Sequence, residues 1–192
     1  AFDGPWSTLL RAASAIVGAL QLALLVGYGG FAPLHWGLFA LIAAAGQWLA
    51  WRERGFAIVP AISLLLSLAL LAGWPDPTPF WFGLIGPSLL IIHALPLLVR
   101  MWAIPGKLRP TLELCAIALA AAPLTKWHFW DIADGALALV ALGGALLAAA
   151  GIVRGWKVEG RTSDSRMAWL AATAGALVGL LLDEFRSGNV LA

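Results

Sequence analysis

The stretch Ala136-Leu137-Ala138-Leu139-Val140-Ala141-Leu142-Gly143-Gly144-Ala145-Leu146-Leu147-Ala148-Ala149-Ala150-Gly151-Ile152-Val153 decides the fold class. It contains no charged, amide or imidazole side chain, so a helix drawn through it is apolar on every side. A water-facing helix keeps a polar face. A hydrocarbon core about 30 Å thick takes about 20 such residues to cross, at a rise of about 1.5 Å per residue. Membrane strands alternate apolar and polar positions with a period of two, which this stretch does not. A helix also satisfies its own backbone hydrogen bonds, the condition for standing in lipid.

Six more windows of this kind flank it. The full set runs roughly Thr8 to Tyr28, Leu34 to Trp51, Phe56 to Gly73, Phe82 to Val99, Thr111 to Leu124, Ile132 to Val153 and Met167 to Leu182. The expected fold is therefore all-α, a transmembrane bundle of about seven helices, with residues 1–192 forming a single domain. The fifth window is the shortest, and thinning of the bilayer, flanking aromatics or tilt would accommodate it. Composition agrees: 61% of the 192 residues are hydrophobic and 11% are charged, whereas soluble domains carry about 25% charged residues. Too few polar groups exist to cover a water-soluble protein of this size. The first stretch lacks a basic leader and an A-x-A cleavage pattern and so reads as a mature crossing, while the start at Ala1 rather than Met suggests a piece of a longer protein, with a processed chain as the alternative.

The cations set an orientation. The connections after windows two, four and six carry Arg52 and Arg54, then Arg100, Lys107 and Arg109, then Arg154, Lys157, Arg161 and Arg166; Arg11 lies near the first window. Only Lys126 and Arg186 fall on the opposite side. The positive-inside rule then places the N-terminus in the cytoplasm and the C-terminus in the periplasm or outside, in a bacterial inner membrane, with Arg52, Arg54, Arg100, Lys107, Arg109 and Arg154 as cytoplasmic anchors. The other connections are aromatic, and Trp74, Trp81, Trp127 and Trp130 are expected to form a belt at the lipid headgroups. Trp36, Trp81 and Trp130 open outward-to-inward helices about fifty residues apart, the mark of a helical hairpin repeated about three times. Such parallel repeats differ from the inverted repeats of many transporters.

Net charge is only +2, which gives no basic patch for phosphates and excludes nucleic acid as an expected partner. The lipid bilayer is the expected partner, along with further helices of a longer chain or a second copy. Cys115 is the only cysteine; it reads as a small buried hydrophobe, and no disulfide or Cys-based zinc site can form within the chain. There is no His-Glu-x-x-His helix, no Gly-x-Ser-x-Gly nucleophile and no Gly-rich phosphate loop. The last window has no Lys for a retinal Schiff base. No cofactor is expected.

A few polar residues stand inside the windows. His93 lies in the middle of the fourth, between Pro87 and Pro96, where an unpaired polar group is costly and a functional role is the default question. A bond to a Ser or carbonyl of a neighbouring helix would satisfy it; a proton-relay or substrate role is the alternative. Gln47 and Gln21 are isolated amides suited to bonding across helices, with a pore-lining role as the alternative. Gly175 and Gly179 form Gly-x-x-x-Gly, which suits close helix packing or a dimer seam. Glu113, after Arg109-Pro110, reads as an acid in the first turn of the fifth helix.

Asp131-Ile132-Ala133-Asp134-Gly135-Ala136-Leu137-Ala138 resembles the opening of the CDP-alcohol phosphotransferase signature, whose paired aspartates hold metal and diphosphate. The pattern breaks at Leu139, where that family needs Arg, and its later aspartates are missing. Asp131 and Asp134 read instead as an N-cap and a first-turn acid. The Trp51-Arg52-Glu53-Arg54 exit, the Trp74-Pro75-Asp76-Pro77 and Phe80-Trp81-Phe82-Gly83-Leu84 loop, and the Ala/Leu-rich hairpins resemble large multi-pass bacterial membrane proteins of unknown function. That resemblance implies a fragment of a longer helix array and transfers no catalytic residue. Three functions follow as expectations: a non-enzymatic scaffold or envelope-related module; a transporter or channel segment with a polar site at His93, Gln47, Gln21 and Asp183; and a lipid-modifying enzyme using Asp131, Asp134 and His128.

Overall fold

The computed structural model describes residues 5–103, 108–129, 134–159 and 165–186. These residues form seven α-helices and no strand: α1 Pro5–Tyr28, α2 Pro33–Arg52, α3 Val59–Ala72, α4 Pro79–Ala103, α5 Leu108–His128, α6 Asp134–Glu159 and α7 Ser165–Arg186. A single 3-10 turn, Arg54–Phe56, precedes α3. Of the seven, α1, α4 and α6 each contain a segment long and apolar enough to cross a membrane, and α3 and part of α7 are shorter apolar helices. The chain divides into two compact units, Ala1–His93 and Ala94–Ala192, with the boundary falling inside α4.

Four helix boundaries fall where the sequence supplies a signal. Proline opens α2 and α4 and takes the second position of α3, sites where its missing N–H removes no helical bond. After α1, the Phe31 N–H bonds to the Val26 carbonyl at 2.9 Å and the Gly30 N–H to the Gly27 carbonyl at 3.3 Å. Gly30 sits at φ +67°. This is a Schellman closure, which places a left-handed residue just past the helix and so favours glycine there. It turns the chain tightly into Pro33.

The short helix is the third, not the fifth. With 14 residues, α3 spans only about 21 Å, because the 3-10 turn and Pro60 consume the start of its window. By contrast α5 has 21 residues. Its apolar stretch is extended by Leu108-Arg109-Pro110 at one end and Thr125-Lys126-Trp127-His128 at the other, polar residues that a hydropathy reading trims away. Glu113 accepts a hydrogen bond from Arg109 Nε at 2.7 Å one turn earlier, an i,i+4 pair that secures the first turns.

In the first unit, α1 and α2 run antiparallel. Arg11 near the start of α1 pairs with Glu53 just past α2 at 3.3 Å. At the opposite end Phe31, Trp36, Trp74 and Phe82 pack together, with the Trp36 and Trp74 rings 5.0 Å apart and Phe31 stacked on Trp74 at 6.0 Å. These contacts join the starts of α2 and α4 to the end of α3, so neighbouring helices alternate in direction. Buried stripes face inward at helical spacing: Trp36, Phe39, Ala43 and Gln47 on α2, Pro60, Ser63, Ser67 and Leu71 on α3, and Phe82, Leu89 and His93 on α4.

In the second unit, α5, α6 and α7 share a core of Ala118, Ala141, Ala145 and Leu177. Gly144 on α6 lies against both α5 and α7: a Cβ there would stand 2.8 Å from the Ala118 carbonyl oxygen and 3.0 Å from Leu177 Cδ1. Only glycine allows that approach. At Gly175 and Gly179 a Cβ would meet nothing within 4 Å, so among the described residues the Gly-x-x-x-Gly pair does not make the close packing expected of it. The reason is angular: Leu170, Thr173 and Leu177 define the buried side of α7, and at about 100° per residue both glycines fall away from it.

Outside these stripes the surface is greasy. Leu41, Leu65, Ile91, Leu95, Leu139, Leu146 and Leu182 are all exposed, Leu139 to 69%. Soluble monomers rarely expose apolar patches beyond a few hundred Å².

Candidate polar site within the helix bundle

The polar residues of α2, α3 and α4 converge in the first unit. His93 is 1% exposed, Ser67 0% and Gln47 4%. Each occupies its helix's buried stripe, so helical periodicity alone carries all three inward. Gln47 Nε2 lies 2.9 Å from His93 Nδ1, and Ser67 Oγ lies 2.9 Å from His93 Nε2. Ser67 Oγ also donates to the Ser63 carbonyl at 2.8 Å, the bond that a helical serine makes one turn back.

Proton bookkeeping fixes the direction of this chain of bonds. Ser67 spends its only hydrogen on the Ser63 carbonyl, so toward His93 it accepts, and the ring carries its proton on Nε2. Nδ1 is then a lone pair and accepts from the Gln47 amide N–H. The arrangement suits a neutral imidazole. An added proton on Nδ1 would face the amide donor and require Gln47 to rotate, bringing its oxygen to the ring. In the structure Gln47 Oε1 is buried without a hydrogen-bond partner.

Of the residues singled out in the sequence, His93 and Gln47 are brought into direct contact. Gln21 is not; it is exposed on α1 and lines a groove toward α2 and α3. Ser67 and its partner Ser63 escaped the sequence reading. Their signal was the i,i+4 spacing in Ser63-Leu64-Leu65-Leu66-Ser67, which puts two hydroxyls on one helix face.

The aromatic residues separate. Trp81 and Trp127 are exposed, Trp127 to 75%, whereas Trp74 is only 8% exposed inside the aromatic cluster, its ring turned to Phe31, Trp36 and Phe82. Among the anchors, Arg52 is exposed at the end of α2 with its guanidinium over the Trp48 ring at 4.8 Å, a cation–π contact. Arg109 is paired as described. Trp130, Lys107 and Asp131 lie outside the described residues, as do the side chains of Arg54, Arg100, Arg154, Asp134 and Asp183. Among the described residues, no group of three or more His, Cys, Asp or Glu is placed to hold a metal ion. Cys115 is buried and free.

Comparison with family models, with curated proteins and with solved structures finds no match to this chain.

Proposed function

We propose that the chain is a multi-pass module of a bacterial inner membrane with a structural, non-enzymatic role, and that His93 is an interhelical fastening within it. The observation that carries this reading is the closure of the His93 network: both ring nitrogens are engaged by side chains of α2 and α3, and the ring is sealed from its surroundings. A neutral, fully engaged imidazole holds helices together and leaves no ring atom facing a substrate. Lipid supplies little hydrophobic drive between helices, so such bonds and close packing are what remain to join them. The exposed leucines and the three long apolar helices support a membrane setting. In this reading all seven helices cross, with Arg11, Arg52 and Arg109 at the cytoplasmic face and Phe31, Trp81 and Trp127 at the other. Further helices of a longer chain, or a second copy, would cover part of the outer surface.

A second reading, a transporter or channel segment, is favoured by one atom, the unpartnered Gln47 Oε1. It could receive a transported donor or a water. Reconstitution into vesicles discriminates the two. The structural role predicts no proton or solute flux above protein-free vesicles for the native chain, and none altered by His93→Ala or Gln47→Leu. Flux abolished by either substitution would establish the transporter. Single-cysteine labelling at positions 52 and 127, in a Cys115→Ala background, should react from opposite sides of the membrane; reaction from one side would overturn the topology.

A further inference from the structure

The first unit carries a groove of about 610 Å³ between α1, α2 and α3. Small residues form it: Ala15 and Gly18 from α1, Ala45 and Gly46 from α2. Apart from Gln21 and Ser63, its wall is apolar. At Gly18 a Cβ would meet nothing within 4 Å. Along α1 the lining runs from Ala15 to Leu25 and along α2 from Phe39 to Leu49, about 15 Å in each case. That is half of a hydrocarbon core about 30 Å thick, the depth of one leaflet.

Among the described residues, the charges beside this groove stand at one end. Arg11 precedes Ala15 by one helical turn and Gly18 by two, on the same side of α1; Arg52 follows Leu49 by about one turn on α2. Arg11 Nη1 bonds Glu53 Oε2 at 3.3 Å, which joins α1 to the end of α2 and uses one of the five N–H donors of the guanidinium. Arg52 is exposed beside it in sequence, its guanidinium over the exposed Trp48 ring, so it must swing from that ring to meet a phosphate at the groove. Among the described side chains at this end, Arg11, Glu53 and Arg52 together leave one net positive charge. At the far end stands Phe39, itself buried.

We propose that this groove is a binding site for a glycerophospholipid of net charge −1, one acyl chain lying between Gly18 and Gly46 and the phosphate held by Arg52 and Arg11. The proposal rests on the membrane reading above. Guanidinium groups match phosphate oxygens in geometry and charge, and an excess of positive charge complements phosphatidylglycerol better than the net-neutral phosphatidylethanolamine.

Native mass spectrometry of the full chain in detergent, titrated with each of these two lipids, tests it. A saturable one-lipid adduct is expected, with phosphatidylglycerol bound about tenfold more tightly. Arg52→Gln should remove that preference, a loss of about tenfold, on the scale of one charge-assisted hydrogen bond. Gly18→Leu, which places a side chain in the groove, should weaken both lipids alike, and Ala45→Leu on the opposite wall should do the same if the first variant fails to fold. Equal affinity of the native chain for the two lipids, or unchanged binding in Arg52→Gln and in the folded groove variant, would overturn the site. A chain that stays monomeric in buffer without detergent would overturn the membrane reading itself, a different result from a detergent-solubilised chain that shows no lipid preference.

Discussion

The two units hold their helices together by opposite means. In residues 1–93, α2, α3 and α4 are fastened by side chains reaching across: Gln47 to His93, His93 to Ser67, and an aromatic cluster at one end. In residues 94–192, α5, α6 and α7 meet through small residues, with Gly144 against the Ala118 backbone and Leu177. The difference teaches where each kind of contact is sensitive. A polar fastening depends on a few hydrogen-bonding atoms and tolerates a change of volume nearby. A close backbone approach has no such atom to lose, but it has no room to give.

The largest effect is therefore expected in the second unit. Gly144→Leu drives a side chain into the Ala118 carbonyl, and backbone must move to admit it; overpacking of this kind costs about 1–3 kcal/mol, or more where backbone is the obstacle. Hydrogen exchange followed by mass spectrometry in detergent should show protection lost along α5, α6 and α7, with α2 and α3 keeping theirs. Loss spread equally over both units would break the distinction between them.

Next comes His93→Leu, which keeps most of the side-chain volume while deleting both ring hydrogen bonds. Ser67 keeps its bond to the Ser63 carbonyl, but the Gln47 amide N–H is left without its acceptor. Hydrogen bonds between membrane helices average about 0.6 kcal/mol and reach about 1.7, so a loss of about 1–2 kcal/mol is expected, read as faster exchange in α2, α3 and the start of α4. Ser67→Ala should reproduce part of it. If His93→Leu stabilised the chain while Gln47→Leu did the same, the network would be a cost borne for another purpose, and the transporter reading would gain.

How much of this was readable beforehand follows the same division. All seven windows became helices, and three of these helices contain segments long and apolar enough to cross a membrane. Helix ends were less legible: Thr125 to His128 extend α5 although they are polar, and Pro60 with the 3-10 turn shortens α3 although its surroundings are apolar. His93 and Gln47 stood out as polar atoms in greasy windows, and the fold brings them within 2.9 Å of each other. Ser67 did not stand out, since a helical serine can satisfy itself on its own backbone, and its i,i+4 spacing from Ser63 marks a shared helix face without naming the partner across it. Trp74 resembled its exposed neighbours in sequence, and only the turn between α3 and α4 folds its ring beneath Phe31 and Trp36.

The smallest effect sharpens the comparison most. Gly175 and Gly179 carry the spacing associated with close helix contact, yet both have open space where a Cβ would go, while Gly144, which has no glycine four residues away, makes the real approach. Spacing alone does not report packing; what decides it is whether the glycine falls on the buried side, and on α7 that side belongs to Leu170, Thr173 and Leu177. Gly175→Ala and Gly179→Ala are thus expected to leave the stability of the isolated chain within about 0.5 kcal/mol, the range of substitutions that touch no special feature, with the better helix propensity of Ala as a small offset in their favour. The measurement is thermal unfolding of the monomer in detergent, set beside the proportion of dimer by cross-linking in vesicles. An unchanged melting curve with unchanged dimer content leaves these glycines outside any contact. Lost dimer with unchanged melting would instead make α7 a seam between copies, so that the second unit used small residues both within itself and toward its neighbour.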